Sequence, residues 1–110
     1  MVEEHAQLDI VFHALGDATR RGMLRRLAKG EHTVGELAEP YPISLAAVSK
    51  HIKTLERAGL VKRTVRGRIH YCRIDPRPLE HAEHWLRGYE RLWDLRLDRL
   101  ASLLRHPDNE

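Results

Sequence analysis

The spacing of apolar residues predicts four helices in the first half of the chain. The first lies near residues 8–15, where one helical face collects Leu8, Val11, Phe12 and Leu15. Each of the next three follows a residue whose side chain can accept a hydrogen bond from a free helical amide. These capping residues are Asp17, Thr33 and Ser44. We expect the three helices over residues 18–28, 34–38 and 45–58, because glycine or proline follows each of them.

The periodicity then changes from helical to alternating, which predicts a β-hairpin over residues 60–74. Arg66-Gly67 is the expected turn of this hairpin. A final helix is expected over residues 79–104, with Pro78 in its first turn. At ~1.5 Å per residue this helix would be roughly 39 Å long, which is more than one small domain covers by itself.

The order of these elements is typical of a winged helix-turn-helix. Two short helices joined by a tight turn occupy residues 33–58, and the hairpin that follows directly, residues 60–74, would be the wing. The chain is therefore predicted to be mainly α with a β-hairpin wing, in a single domain over residues 1–110. The long C-terminal helix, residues 79–104, is interpreted as a dimerisation helix.

Composition narrows the possible classes of function. The chain has 110 residues, enough for one domain, and its 42% hydrophobic and 32% charged residues favour a soluble, folded protein. The 5% aromatic content argues against binding of single strands by base stacking. One cysteine excludes an internal disulfide, no apolar run approaches the ~20 residues of a membrane span, and residues 1–5 resemble no secretory segment. We expect a cytoplasmic protein without a membrane partner, and an enzyme of this size would be unusually compact.

The net charge of +3 is a cancellation between segments of opposite sign. Residues 1–43 carry a net −2, residues 44–73 a net +7, and residues 74–110 a net −2. At ~100° per residue, the fourth helix has its apolar positions on one side and its cations on the other. The outward stripe consists of Ala46, Lys50, Lys53 and Arg57, with Ser49 on its shoulder.

This charge pattern indicates binding of double-stranded DNA. Small residues permit a helix to approach base edges in the major groove, and the long cations that follow them reach phosphates. The hairpin tip Arg66-Gly67-Arg68 adds two cations on a narrow turn, which suits the minor groove or the backbone.

Three segments of the chain resemble the ArsR-type winged-helix repressors. They are ALGDATRR at residues 14–21, TVGELA at 33–38 and ISLAAVSKHIKTLERAGLV at 43–61. The resemblance implies a homodimer that binds an operator and represses transcription, often of its own gene. It also implies DNA contacts from Ser44, Leu45, Ala46, Ser49, Lys50 and Lys53. The expected DNA-binding set is completed by His51, Arg63, Arg66 and Arg68.

Two residues depart from the pattern of that family. Leu45 stands where the family often has Gln, and Ala46 where it often has Pro. The base preference should therefore differ, and an apolar contact to a thymine methyl group is expected at one of these two positions.

An apolar seam along the last helix predicts a symmetric dimer. The seam carries two tryptophans, each with ~150–250 Å² of surface to bury. The expected interface residues are Leu8, Val11, Phe12, Leu86, Tyr89, Trp93, Leu97 and Leu100. A two-fold dimer would present two recognition helices about 34 Å apart, which matches an inverted-repeat operator. Pairing of the helix with a different protein is the alternative.

The sequence predicts no cofactor and no recognisable metal site. Glu36-Leu37-Ala38-Glu39 lacks the cysteine pair with which arsenic and cadmium sensors of the family bind metal. His81 and His84 supply only half a zinc site, and the residues three turns later are Leu92 and Leu95.

Two alternatives use the remaining chemistry of the chain. A metal- or redox-responsive repressor would use His81, His84 or Cys72, and a thiol enzyme would use Cys72 with His70 on the same strand face. The inducing signal stays open.

Overall fold

Eight elements make up the structure, a computed structural model that describes residues 2–105, without the side chains of residues 2–5, 90 and 93. The helices are α1 (Val2–Leu15), α2 (Ala18–Leu27), α3 (Val34–Ala38), α4 (Leu45–Arg57) and α5 (Arg77–Arg105). The strands are β1 (His32–Thr33), β2 (Val61–Arg66) and β3 (Ile69–Ile74). The predicted order of helices and hairpin is confirmed, and α1 begins earlier than its apolar pattern indicated.

The three capping residues begin their helices as the sequence predicted. The Asp17 carboxylate accepts a hydrogen bond from the backbone N–H of Arg20 at 3.1 Å. This bond lowers the pKa of Asp17, because it stabilises the ionised form. Thr33 and Glu36 form a reciprocal capping box at the start of α3, and Ser44 caps α4 through the amide of Ala47.

The sheet contains one strand more than the predicted hairpin. Its order is β1-β3-β2, with both pairs antiparallel, and His32 and Thr33 pair with Cys72 and Tyr71. The hairpin turn lies one residue later than expected, because Arg66 pairs with Ile69 and leaves Gly67-Arg68 as the two turn residues. Gly67 has φ +65° and every non-glycine residue described has a negative φ, the pattern of a type II′ turn.

The core lies where α1, α2, α3 and α4 meet the sheet. Val48, Ile52 and Leu55 of α4 are fully buried in it, as the helical wheel predicted. They pack with Met23, Leu27 and Leu37 from the two preceding helices and with Cys72 from β3. The inner face of α4 is thus fixed, so its opposite face must point outward.

Helix α5 extends well beyond this core. It has 29 residues, and Ala82 is the one fully buried residue among those of α5 whose side chains are described. The Cα radius of gyration is 19.6 Å, against about 13 Å for a compact domain of this length. The molecule measures 74 × 34 × 22 Å as a result. No helix in the described range 2–105 is long and apolar enough to cross a bilayer.

Asp75 fixes the direction in which α5 leaves the wing. Its amide donates to the carbonyl oxygen of Leu60 at 2.8 Å, and its carboxylate accepts from the backbone N–H of Arg77 at 3.1 Å. The Arg77 guanidinium also donates hydrogen bonds to the carboxylate, and the shortest of them, from Nη2 to Oδ2, is 2.8 Å. These bonds from Arg77 lower the pKa of Asp75 to about 2.

Candidate nucleic-acid interface

Helix α4 is held at both ends, which sets how its outer face is presented. Ser44 caps its first turn, and Gly59 ends it in the left-handed conformation with φ +74°. The amide of Leu60 donates to the carbonyl of Leu55 at 3.0 Å, and that of Gly59 to Glu56 at 2.9 Å. This is a Schellman motif, and it turns the chain directly from α4 into β2. The wing therefore starts against the end of the helix.

The outer face of α4 forms an open basic stripe. Ala46, Lys50, Lys53 and Arg57 are exposed, and Ser49 is partly exposed beside them. A shallow depression runs along this stripe, lined by Ala46, Ala47, Ser49, Lys50 and Lys53. Neither lysine has an ion-pair partner among the side chains that the structure describes. Their charges are therefore available to phosphates.

The start of α4 exposes apolar side chains instead. Leu45, the first residue of the helix, is 61% exposed, and Ile43 in the turn before it is 40% exposed. Ser44 lies between them, with its hydroxyl accepting from Ala47 at 3.1 Å. The capping serine therefore lies between two exposed hydrophobic side chains.

The three wing arginines expected to contact DNA, Arg63, Arg66 and Arg68, have different surroundings. Arg63 donates to Glu56 of α4 at 2.6 Å and lies 3.4 Å from Nδ1 of His70. Arg66 pairs with Glu31 at 3.2 Å and lies over the Tyr71 ring, 4.5 Å from its centroid.

Arg68 lies in the hairpin turn, exposed and without an ion pair to any described residue. The sequence placed Arg63, Arg66 and Arg68 in one expected DNA-binding set. The acids that hold Arg63 and Arg66 lie on other elements, and nothing in the hairpin sequence indicates them.

His51 differs from its neighbours on α4 in the direction it faces. Its Nδ1 lies 3.2 Å from Nη1 of Arg20 on α2, so this side of the ring faces the protein and not the basic stripe. Arg20 also donates to the carbonyl oxygens of Ala14 at 2.7 Å and His13 at 3.0 Å. The sequence led us to place His51 near DNA and gave no sign of its contact with Arg20. The three partners of Arg20 lie on α1 and α4 and meet only in the folded protein.

The residues expected at a subunit interface fall into two groups. Leu8 and Val11 are 8% and 1% exposed, because they pack in the protomer's own core, and the structure corrects their assignment to a partner-facing surface. Phe12 is partly buried and meets the Trp85 ring edge-on at 5.7 Å. The side chain of Trp93 lies outside the described residues. Leu86, Tyr89, Leu97 and Leu100 are each about half exposed along α5.

The candidate effector residues lie in different surroundings. His81 and His84 are exposed on α5, and Cys72 is buried, which raises the pKa of its thiol. Within the described residues no three His, Cys, Asp or Glu side chains cluster in a way that could hold an ion. On α3, Leu37 is buried and the neighbouring donors are Glu36 and Glu39, which does not fit a thiolate metal site.

A capped helix with a free basic stripe, joined through a tight turn to a hairpin, defines the chain as a winged helix-turn-helix DNA-binding protein. Comparison with known proteins agrees. A family model described as "Helix-turn-helix domain" matches residues 15–64. The HTH-type transcriptional regulator Rv2034 of Mycobacterium tuberculosis is 38% identical over 96 residues, 87% of this chain and 87% of that relative. The transcriptional repressor SdpR of Bacillus subtilis is 30% identical over 72% of this chain and 88% of its own length.

Solved structures give the same result. The crystal structure of an ArsR family transcriptional regulator has a TM-score of 0.77 and 40% identity, covering 81% of this chain and 92% of that one. A homodimeric winged helix-turn-helix DNA-binding domain from Mycobacterium bovis shares the fold, with a TM-score of 0.58 and 24% identity over 89% of this chain and 85% of that one. The chain belongs to the ArsR family of transcriptional regulators.

Proposed function

We propose that this regulator is a homodimeric, sequence-specific repressor that acts in the cytoplasm on an inverted-repeat operator, including one at its own gene. The observation that carries the proposal is the outer face of α4. Lys50 and Lys53 are exposed there without acidic partners among the described side chains, beside small side chains that permit close approach to bases.

In this proposal each part of the interface has a distinct task. The start of α4 lies in the major groove with Ser44, Leu45, Ala46 and Ser49 toward base edges. Lys50 and Lys53 contact phosphates. Arg68 reaches the minor groove or the flanking backbone, because it lies in the hairpin turn and, unlike Arg63 and Arg66, has no internal partner among the described residues.

The dimer is supported by the surface of α5. Among the described side chains of this helix, eight large apolar ones are exposed on the side of the seam: Trp85, Leu86, Tyr89, Leu92, Leu97, Leu100, Leu103 and Leu104. Contiguous apolar surface of more than a few hundred Å² is rare on a soluble monomer, so a partner surface is required. A second copy supplies the same stripe, and a two-fold axis between two copies would place two α4 helices against one face of the DNA. The homodimeric relative of the same fold supports this arrangement.

Titration of the protein against a duplex carrying its own promoter tests the proposal. Binding with 6–10 phosphate contacts should weaken by roughly 10³–10⁵ between 50 and 200 mM salt. A scrambled duplex of the same length and composition is the control, and it should bind far more weakly. Equal affinity for both duplexes, or affinity that ignores salt, would contradict a sequence-specific regulator.

A further inference from the structure

Two apolar side chains exposed at the start of α4, Leu45 and Ile43, are not part of the protein core. Leu45 is 61% exposed and Ile43 40% exposed, whereas the core side of the helix is filled by Val48, Ile52 and Leu55. Turning Leu45 inward is therefore not an option without displacing a buried residue. Its exposed surface remains in water unless an external partner covers it.

The charge around this group identifies the kind of partner. One turn further along α4 lie Ser49 and Lys50, and Lys53 follows on the same outer face. A purely apolar patch on a protein would gain nothing from this positive charge, whereas DNA offers phosphates to the lysines. The partner must therefore present an apolar group within a strongly anionic surface.

The major groove presents one apolar group of this kind, the methyl on C5 of thymine. Leucine has no hydrogen-bond donor or acceptor, so it cannot read the polar pattern of the bases. We propose that Leu45, flanked by Ile43, is a specificity-determining residue that contacts a thymine C5-methyl in each operator half-site. This inference rests on the proposed function, because it requires α4 to lie in the major groove.

Replacing thymine by deoxyuridine tests the contact, since this change removes the methyl group and leaves base pairing intact. The operator is first selected from random duplexes with the full-length protein. Each thymine of one half-site is then replaced singly, and affinity is measured by fluorescence anisotropy. One buried methyl group is worth about 0.8 kcal/mol, so the wild type should lose about fourfold in affinity at the contacted position.

Leu45→Ala connects that loss to the side chain. The variant should bind the thymine duplex more weakly and bind the thymine and deoxyuridine duplexes equally. Lys53→Ala is the matched control, because it should weaken both duplexes and keep their ratio. Leu45 is exposed, so thermal unfolding of the variant should match that of the wild type.

The outcomes separate the contact from the function on which it rests. The proposed contact is wrong if no replacement of thymine by deoxyuridine in the half-site weakens binding. It is also wrong if Leu45→Ala keeps the full ratio of affinities between the thymine and deoxyuridine duplexes. Failure to select any operator overturns the proposed function instead. A probe with 5-methylcytosine in place of the thymine, compared with plain cytosine, tests recognition of the methyl apart from thymine O4. Tighter binding of the methylated probe is expected, and equal binding of the two cytosine probes would contradict a contact with the methyl group.

Discussion

Nη1 of Arg20 lies 3.2 Å from Nδ1 of His51 and so connects α2 to the DNA-facing helix. A guanidinium only donates hydrogen bonds, so Arg20 is the donor in this pair. The same guanidinium bonds to the last turn of α1 through the carbonyls of His13 and Ala14. At the C-terminal end of α4, the Gln7 side-chain amide donates to the carbonyl oxygen of Ala58 at 3.2 Å. Helix α1 therefore supports the middle of the helix proposed to read DNA, through Arg20, and its C-terminal end directly.

Removal of the Arg20 side chain should destabilise the fold and loosen α4. Arg20→Ala removes the part-buried hydrogen bonds to Ala14 and His51 and an exposed one to His13. Hydrogen bonds to a charged group are worth about 1.5–3 kcal/mol. We expect the free energy of unfolding, measured in urea, to fall by about 2 kcal/mol. Arg21→Ala is the control, because Arg21 makes one exposed bond to Leu15 and its loss should cost less than ~1 kcal/mol. Equal losses in both variants would contradict a special role for Arg20.

A charge placed in the α5 seam should separate the subunits. Leu97→Asp would bury a carboxylate against the partner helix, so sedimentation velocity should give a monomer where the wild type gives a dimer. Operator affinity should fall with it, since one half-site alone then remains. Leu95→Asp is the matched control on the same helix, because at ~100° per residue Leu95 lies nearly opposite the seam. A monomeric Leu95→Asp variant or a dimeric Leu97→Asp variant would contradict a dimer interface along the seam of α5.

Acid should release the contact that fixes the direction of α5. Arg77 holds the pKa of Asp75 at about 2, below the 3.8 of a free carboxyl, so ionised Asp75 stabilises the fold. That stability is complete above pH 4 and is lost as the pH falls through the window between 3.8 and 2. Urea unfolding from pH 5 to pH 2 should show the wild type converging on Asp75→Asn. A constant difference between the two proteins across this range would exclude the linkage.

Residues that contact phosphates and residues that read bases should respond differently to substitution. Lys53→Ala and Arg68→Ala should weaken binding to all duplexes and each reduce the slope of log affinity against log salt by about 1. Ser49→Ala should leave the slope unchanged and alter which duplexes are preferred. Titration of selected and scrambled duplexes at four salt concentrations distinguishes the two groups. The same change of slope for all three variants would contradict the division.

The sequence predicted the elements that depend on local chemistry. Asp17, Thr33 and Ser44 each cap a helix through the next few amides, and the apolar spacing of α4 fixed which face is buried. Strand β1 was missed because two residues carry no periodicity, and it forms only when β3 lies beside it. The turn shifted by one residue because pairing between Arg66 and Ile69 extends the strands as far as Gly67 allows.

Long-range contacts account for the remaining differences at the candidate site. Arg63 and Arg66 are held by Glu56 and Glu31, acids from α4 and from the residue before β1. The spacing of Leu8 and Val11 indicates an apolar helix face, but that face packs into the core of the protomer. A helical wheel identifies an apolar face without identifying what covers it.

The length of α5 beyond the core has a further physical consequence. If a second copy covers the apolar stripe of α5, dimerisation stabilises the folded protomer by mass action. The melting temperature should therefore rise with protein concentration. A newly synthesised chain that has not met its partner would expose the apolar stripe and be the form most open to proteases. The number of copies in the cell would then determine how long each copy survives.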